Sequence, residues 1–271
     1  MVKKLLKHEF IYYFRSYGIF LPIVLVISLI TRLIIAIAEE DNVIHEIAVA
    51  SSSIMLAVSC FALVLLSFVV CVVRFYKNMY SAEGYLTFTL PVTNFQHIFV
   101  KLFCALVCQL VSVLVAGIAA VIALSGEPLR EIVWTFAYMF RGIINEVSAL
   151  NTVAYVIEML IFALAWASYT MLLYYGCITV GQTAKKNRIL KAVGAYFVYY
   201  IATQIVGTVF SMIFIPLGLS GVLERVLEWA ELHSSALVHI YLCGGALIYA
   251  ALAAAFWAVT QTIMTKKLNL E

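Results

Sequence analysis

Residues 47–73 read IAVASSSIMLAVSCFALVLLSFVVCVV, an apolar run without a charged side chain. A helix needs about 20 such residues to cross the hydrocarbon core of a bilayer. The run is therefore predicted to be a membrane-spanning helix over roughly Ile47 to Val73. Five further segments meet the same test: about Tyr17–Ala38, Ile98–Leu124, Thr152–Val180, Ala192–Leu217 and His239–Ile263. The expected fold is all-α, a polytopic membrane protein with six transmembrane helices in one transmembrane domain over 1–271.

Composition agrees. Hydrophobic residues make up 65% of the 271 and charged residues 11%, against about 25% charged in ordinary soluble domains. That is too little polar surface to cover a water-exposed globule, which excludes a soluble enzyme of ordinary design. Phe, Trp and Tyr at 14% exclude a disordered chain. The net charge is only +3, and its Lys and Arg sit in short clusters between apolar runs. A nucleic-acid partner, which calls for a basic face on a folded domain, is not expected. The six cysteines lie in or beside the apolar runs and read as buried thiols. Cys104 and Cys108 share a helical face, but no His or carboxylate completes a metal set around them.

The basic clusters orient the spans. Lys3, Lys4, Lys7, Arg15, Arg74, Lys77, Lys101, Lys185, Lys186, Arg188, Lys191, Lys266 and Lys267 fall on one side; only Arg130, Arg141 and Arg225 fall on the other. Acidic residues follow the opposite trend, with Glu39, Glu40, Asp41, Glu46, Glu127, Glu131, Glu146, Glu224, Glu228 and Glu231 on the second side. The cation-rich side is cytoplasmic. Six spans then put both termini inside. The first span could be a cleaved signal peptide, with Ala36-Ile37-Ala38 as its site. Its length and Arg32 favour an uncleaved anchor.

Between the spans, residues 2–16 read VKKLLKHEFIYYFRS. Val2, Leu5, Leu6, Phe10, Tyr13 and Phe14 recur at helical spacing, with Lys3, Lys4, Lys7, His8 and Arg15 among them. This predicts an amphipathic helix over 1–16 lying on the inner membrane surface. A plain positively charged flank is the alternative. The segment 74–98 reads RFYKNMYSAEGYLTFTLPVTNFQHI. Ser81 and Glu83 are helix-start residues, Pro91 is a stop, and Thr93 or Asn94 could cap the next helix. Met79, Tyr80, Tyr85, Leu86, Phe88 and Leu90 would be apolar anchors on a short cytoplasmic helix. Such a patch marks a partner surface, or else rests on the membrane.

This layout resembles the type-2 exporter family of ABC transporter permeases. The likeness rests on the amphipathic helix before the first span, six spans with both ends inside, and the stretch Glu83-Gly84-Tyr85-Leu86 through Leu90-Pro91, followed by Lys101 at the third span. In that family an acidic residue, Gly, Leu and then Leu-Pro mark the coupling helix. The layout covers nearly the whole chain, and the motif about 20 residues of it. Tyr85 and Phe88 are bulkier than the residues many members carry there. The resemblance implies a transport subunit forming half of a translocation pathway. Met79, Tyr80, Glu83, Gly84, Tyr85, Leu86, Phe88, Leu90 and Pro91 would meet a separate cytoplasmic ATPase, present in two copies and carrying the ATP and Mg. A second permease subunit, identical or related, would complete the pathway. No Gly-rich loop ending in Gly-Lys-Ser/Thr occurs in the sequence. The chain is thus not expected to be an enzyme or to bind a cofactor of its own. The loop 181–191 and the amphipathic entry helix would be secondary contacts.

On the outside, 127–151 and 216–238 carry apolar residues at helical spacing, read as surface helices or as solvated linkers. Within the spans, Arg32 and Glu158 stand out. Each lies about six residues, or roughly 9 Å, from the outer end of its span, so an Arg32–Glu158 pair is plausible. Intramembrane charges are costly and mark function or a structural pair. The small residues of the last span read as packing within the subunit, and most of the tyrosines as interfacial belts. A secondary transporter and a non-transporting sensor or scaffold share this topology. The first would show broken helices in related halves, and no internal repeat is visible.

Overall fold

The computed structural model describes residues 2–37, 43–89, 91–126, 149–184, 186–219 and 234–266, with isolated positions in 130–138 and 225–229. Every element among them is helical: α1 (Val2–Tyr17), α2 (Phe20–Ala36), α3 (Val43–Tyr80), α4 (Ala82–Phe88), α5 (Asn94–Leu124), α6 (Ala149–Gly181), α7 (Arg188–Leu219) and α8 (Ser234–Lys266). Five of them are long and apolar enough to cross a membrane, and α1 with α2 makes a sixth candidate if that bent pair counts as one span. The helices fall into two compact units, Met1–Ile143 and Ile144–Glu271. The segments 127–151 and 216–238 lie largely outside the described residues.

In the first unit α1 meets α2 at a bend of 42°. The bend falls at Gly18, whose N–H donates to the Phe14 carbonyl at 3.0 Å. A Cβ at Gly18 would stand 2.2 Å from that same oxygen, so only glycine fits. A helix flat on the surface would make a right angle with an upright span. The observed angle between the two helices is 42°.

Helix α3 has 38 residues, about 57 Å at the helical rise, nearly twice a hydrocarbon core of roughly 30 Å. The sequence placed 74–80 in a loop; the helix instead continues through them. Charge ends a span without ending a helix. Phe75 and Met79, one turn apart, are fully buried and hold the extra turns against the unit. Upstream, Leu56, Leu63, Ser67 and Cys71 share that buried side, while Ile54, Val58, Phe61 and Leu65 are exposed. Val24, Leu56, Leu63, Ala119 and Ala123 form one cluster of the unit's core. The alanines of α5 let the helices approach closely.

Helix α5 begins with a complete capping box. Thr93 Oγ1 accepts from Gln96 N at 3.3 Å, and Gln96 Oε1 accepts from Thr93 N at 3.2 Å. Thr93, not Asn94, is the cap. Thr93→Ala should cost about 1 kcal/mol, read as faster amide exchange confined to the first turn of α5.

In the second unit α6 packs along α8. Phe162 meets Tyr249 edge-on at 5.5 Å, and Tyr169 lies 5.4 Å from Tyr249. A Cβ at Gly245 would stand 2.6 Å from the Phe162 ring, so the small residue on α8 serves packing within the unit, as the sequence indicated. Several tyrosines read as belts are instead helix-to-helix pairs. Tyr174 stacks on Tyr196 at 5.4 Å, and the Tyr169 and Tyr199 hydroxyls hydrogen-bond to each other. Each pair joins α6 to α7 and buries an aromatic face that a belt residue would give to the interface.

Candidate functional site

The predicted short helix exists as α4, seven residues beginning right after α3. Its attachment to α3 is specific. Gly84 is buried, and a Cβ there would lie 2.6 Å from the Met79 carbonyl oxygen. The Gly84 N–H donates to the Ser81 carbonyl at 2.7 Å. Thr87 Oγ1 is placed to donate to the Asn78 carbonyl at 3.1 Å or the Glu83 carbonyl at 3.0 Å. Ser81 takes the N-cap position but makes no side-chain cap; its hydroxyl donates to the Lys77 carbonyl at 2.6 Å.

The expected partner residues divide. Met79 and Tyr80 are buried, so they anchor α4 to the unit and are not surface contacts. They lie on the last turn of α3, the turn that the sequence had assigned to a loop. Tyr85 is 68% exposed, Glu83 is exposed, and Pro91 is exposed after the helix. Leu86 and Phe88 belong to α4, but their side chains, like Leu90, lie outside the described residues.

Beside α4 sits a polar cluster that sequence reasoning missed. Glu9 of α1 is only 2% exposed. Its Oε1 accepts from Lys101 Nζ at 3.0 Å, and its Oε2 from Arg74 Nε at 3.2 Å. Arg74 Nη1 also donates to Glu83 Oε2 at 3.0 Å. The Arg74 guanidinium lies over the Tyr12 ring, 3.9 Å from its centre. Four helices thus meet in one network: α1 through Glu9 and Tyr12, α3 through Arg74, α4 through Glu83, α5 through Lys101. Two cations face two carboxylates, so the formal charges cancel. Such neutrality and full pairing are what a buried ionic cluster requires. Lys101 is also 2% exposed, and His97, one turn earlier on α5, is buried beside it in sequence.

A signal for this cluster was present. Glu9 is the one acid in a basic helix, and Glu9, Tyr13 and Tyr17 recur every four residues. That spacing defines a single face, and all three side chains are buried. Tyr17 Oη donates to the Cys108 carbonyl at 3.5 Å, tying the end of α1 to α5.

The two intramembrane charges belong to different units, and each has neighbours inside its own. His239 Nδ1 of α8 lies 2.8 and 2.9 Å from the two carboxylate oxygens of Glu158 on α6. The His239 ring stacks on Tyr155 at 4.5 Å, and Tyr155 Oη donates to the Ser235 carbonyl at 3.2 Å. Arg32 borders Gly126, where a Cβ would meet its Nη2 at 2.9 Å. Among the described residues no group of three or more His, Cys, Asp or Glu forms a metal set.

No protein-family model, curated protein or solved structure matches this chain.

Proposed function

We propose that this chain is the transmembrane subunit of an ATP-driven ABC exporter in a bacterial plasma membrane, with both termini cytoplasmic. It forms half of a translocation pathway, pairs with a second permease subunit, and couples to a separate ATPase that binds ATP and Mg. The observation that carries the reading is the placement of α4. A very short helix stands at the end of a span-length helix, presents Tyr85 and Glu83 outward, and is tied to α3 by the Glu83–Arg74 ion pair, which continues through Glu9 of α1 to Lys101 of α5. A push on α4 would pass through Arg74 and Glu9 into three helices at once. Rigid linkage of this kind is what a two-state tilt of the spans needs. The apolar spans suit a hydrophobic or amphipathic cargo, such as a peptide antibiotic, a drug or a lipid.

Gentle detergent purification of the tagged chain, followed by mass spectrometry of what accompanies it, tests the reading. The expected companion is a subunit with a phosphate-loop ATPase. Tyr85→Glu, at an exposed position, should abolish that recovery while leaving membrane insertion and melting unchanged. A chain that purifies alone under several detergents would favour the secondary-transporter or scaffold reading.

A further inference from the structure

We infer that the outward face of α1 is a binding surface for anionic phospholipid headgroups, and that its occupancy is transmitted to α4 through Glu9 and Arg74. At 3.6 residues per turn, Lys4, Lys7, Ile11, Phe14 and Arg15 fall within an arc of about 100°, centred opposite Glu9. All five are exposed, and so is Lys3 at the edge of the arc. Ile11 and Phe14 are each 53% exposed, with the cations on either side. The only acid of the helix, Glu9, points the other way and is buried. Among the described residues these cations form no salt bridge.

The pattern selects its occupant. Four cations without an intervening acid call for a negative surface, and two large apolar side chains among them call for one that is apolar just beneath. Continuity supplies the second argument. α1 runs into α2, whose Ile23, Val26, Leu29, Ile30 and Leu33 are exposed, so the basic face stands where the apolar span begins. An anionic leaflet attracts each such cation at close range. Seating α1 on headgroups fixes its rotation, because the opposite face is clasped by Lys101 and Arg74. Arg74 in turn holds Glu83 of α4.

The test is hydrogen exchange on the full chain in nanodiscs, of phosphatidylcholine alone or of phosphatidylcholine with phosphatidylglycerol. Phosphatidylglycerol should slow the amides of α1 by about tenfold and slow those of α4 with them. High salt should remove the effect. The quadruple variant K3Q/K4Q/K7Q/R15Q, altered only at exposed positions, should exchange alike in both discs. In Glu83→Gln, also exposed, α1 should keep its lipid response and α4 should lose it. Equal α1 exchange in the two discs would overturn the surface, and would point instead to an acidic protein partner. A full response in the quadruple variant would overturn it too. An α4 response that survives Glu83→Gln would overturn the route through Arg74.

Discussion

Replacing Glu9 by alanine is expected to destabilise the first unit by about 3–5 kcal/mol, the usual cost of deleting one member of a buried ion pair. The size follows from what remains. Lys101 loses the carboxylate that accepts from it at 3.0 Å and stays almost entirely buried. Arg74 keeps Glu83, so the uncompensated charge is chiefly the lysine. The first consequence should be release of α1. Trypsin cleavage at Lys7 and Arg15 should accelerate, and the detergent-solubilised chain should melt at lower temperature. Glu9→Met combined with Lys101→Met should recover most of the loss, because apolar groups of similar volume fill the site without a charge to desolvate. Unchanged melting and cleavage in Glu9→Ala would show that the network does not hold α1 in place.

The second large effect is expected at Gly84. An alanine there puts a methyl group 2.6 Å from the Met79 carbonyl oxygen and 3.0 Å from its carbonyl carbon. Both atoms are backbone, so α4 itself has to move off the end of α3. Forcing a group into such a contact costs about 1–3 kcal/mol, and the Thr87–Asn78 hydrogen bond would stretch with it. If α4 is the ATPase-docking element, recovery of the ATPase with the purified chain should fall by about tenfold, since roughly 1.4 kcal/mol corresponds to one decade. Membrane insertion should be unaffected. Gly194→Ala is the matched control, because a Cβ there has nothing within 4 Å. Wild-type melting and wild-type recovery in Gly84→Ala would remove the close approach as a requirement.

These two positions differ in how far the sequence revealed them. Gly84 was marked by its motif, but the reason for glycine there is a carbonyl five residues back, visible only once α4 folds against α3. Glu9 carries only the faint mark of being the one acid in a basic helix. Its charge was lost among the surrounding lysines, and the stripe picked out in 2–16 was apolar. The side turned inward carries Glu9 beside Tyr13 of that stripe; Val2, Leu5, Leu6 and Phe10 are half-buried, and of the stripe only Phe14 is exposed. An apolar stripe therefore located the inward face but gave no sign that a carboxylate sits in it.

The same reasoning separates what was legible from what was not. Helix type and the approximate limits of five long helices followed from the sequence, because a bilayer demands that every backbone polar group be bonded within the helix over a known length. The capping box at Thr93 was also local, and so was the stop near Pro91. Pairing was not. Depth in the sequence pairs Glu158 with Arg32; within its own unit Glu158 has a partner the sequence did not mark, His239, brought beside it by α8. The continuation of α3 to Tyr80 was hidden for a related reason: Phe75 and Met79 hold those turns through contacts made by other helices. The sequence by itself determined apolar helices of membrane-spanning length and a short helix before Pro91. Only the tertiary structure decided that one buried carboxylate on α1 would join α3, α4 and α5, because ion pairs between residues as distant as Glu9 and Lys101 exist only after the chain has brought its helices together.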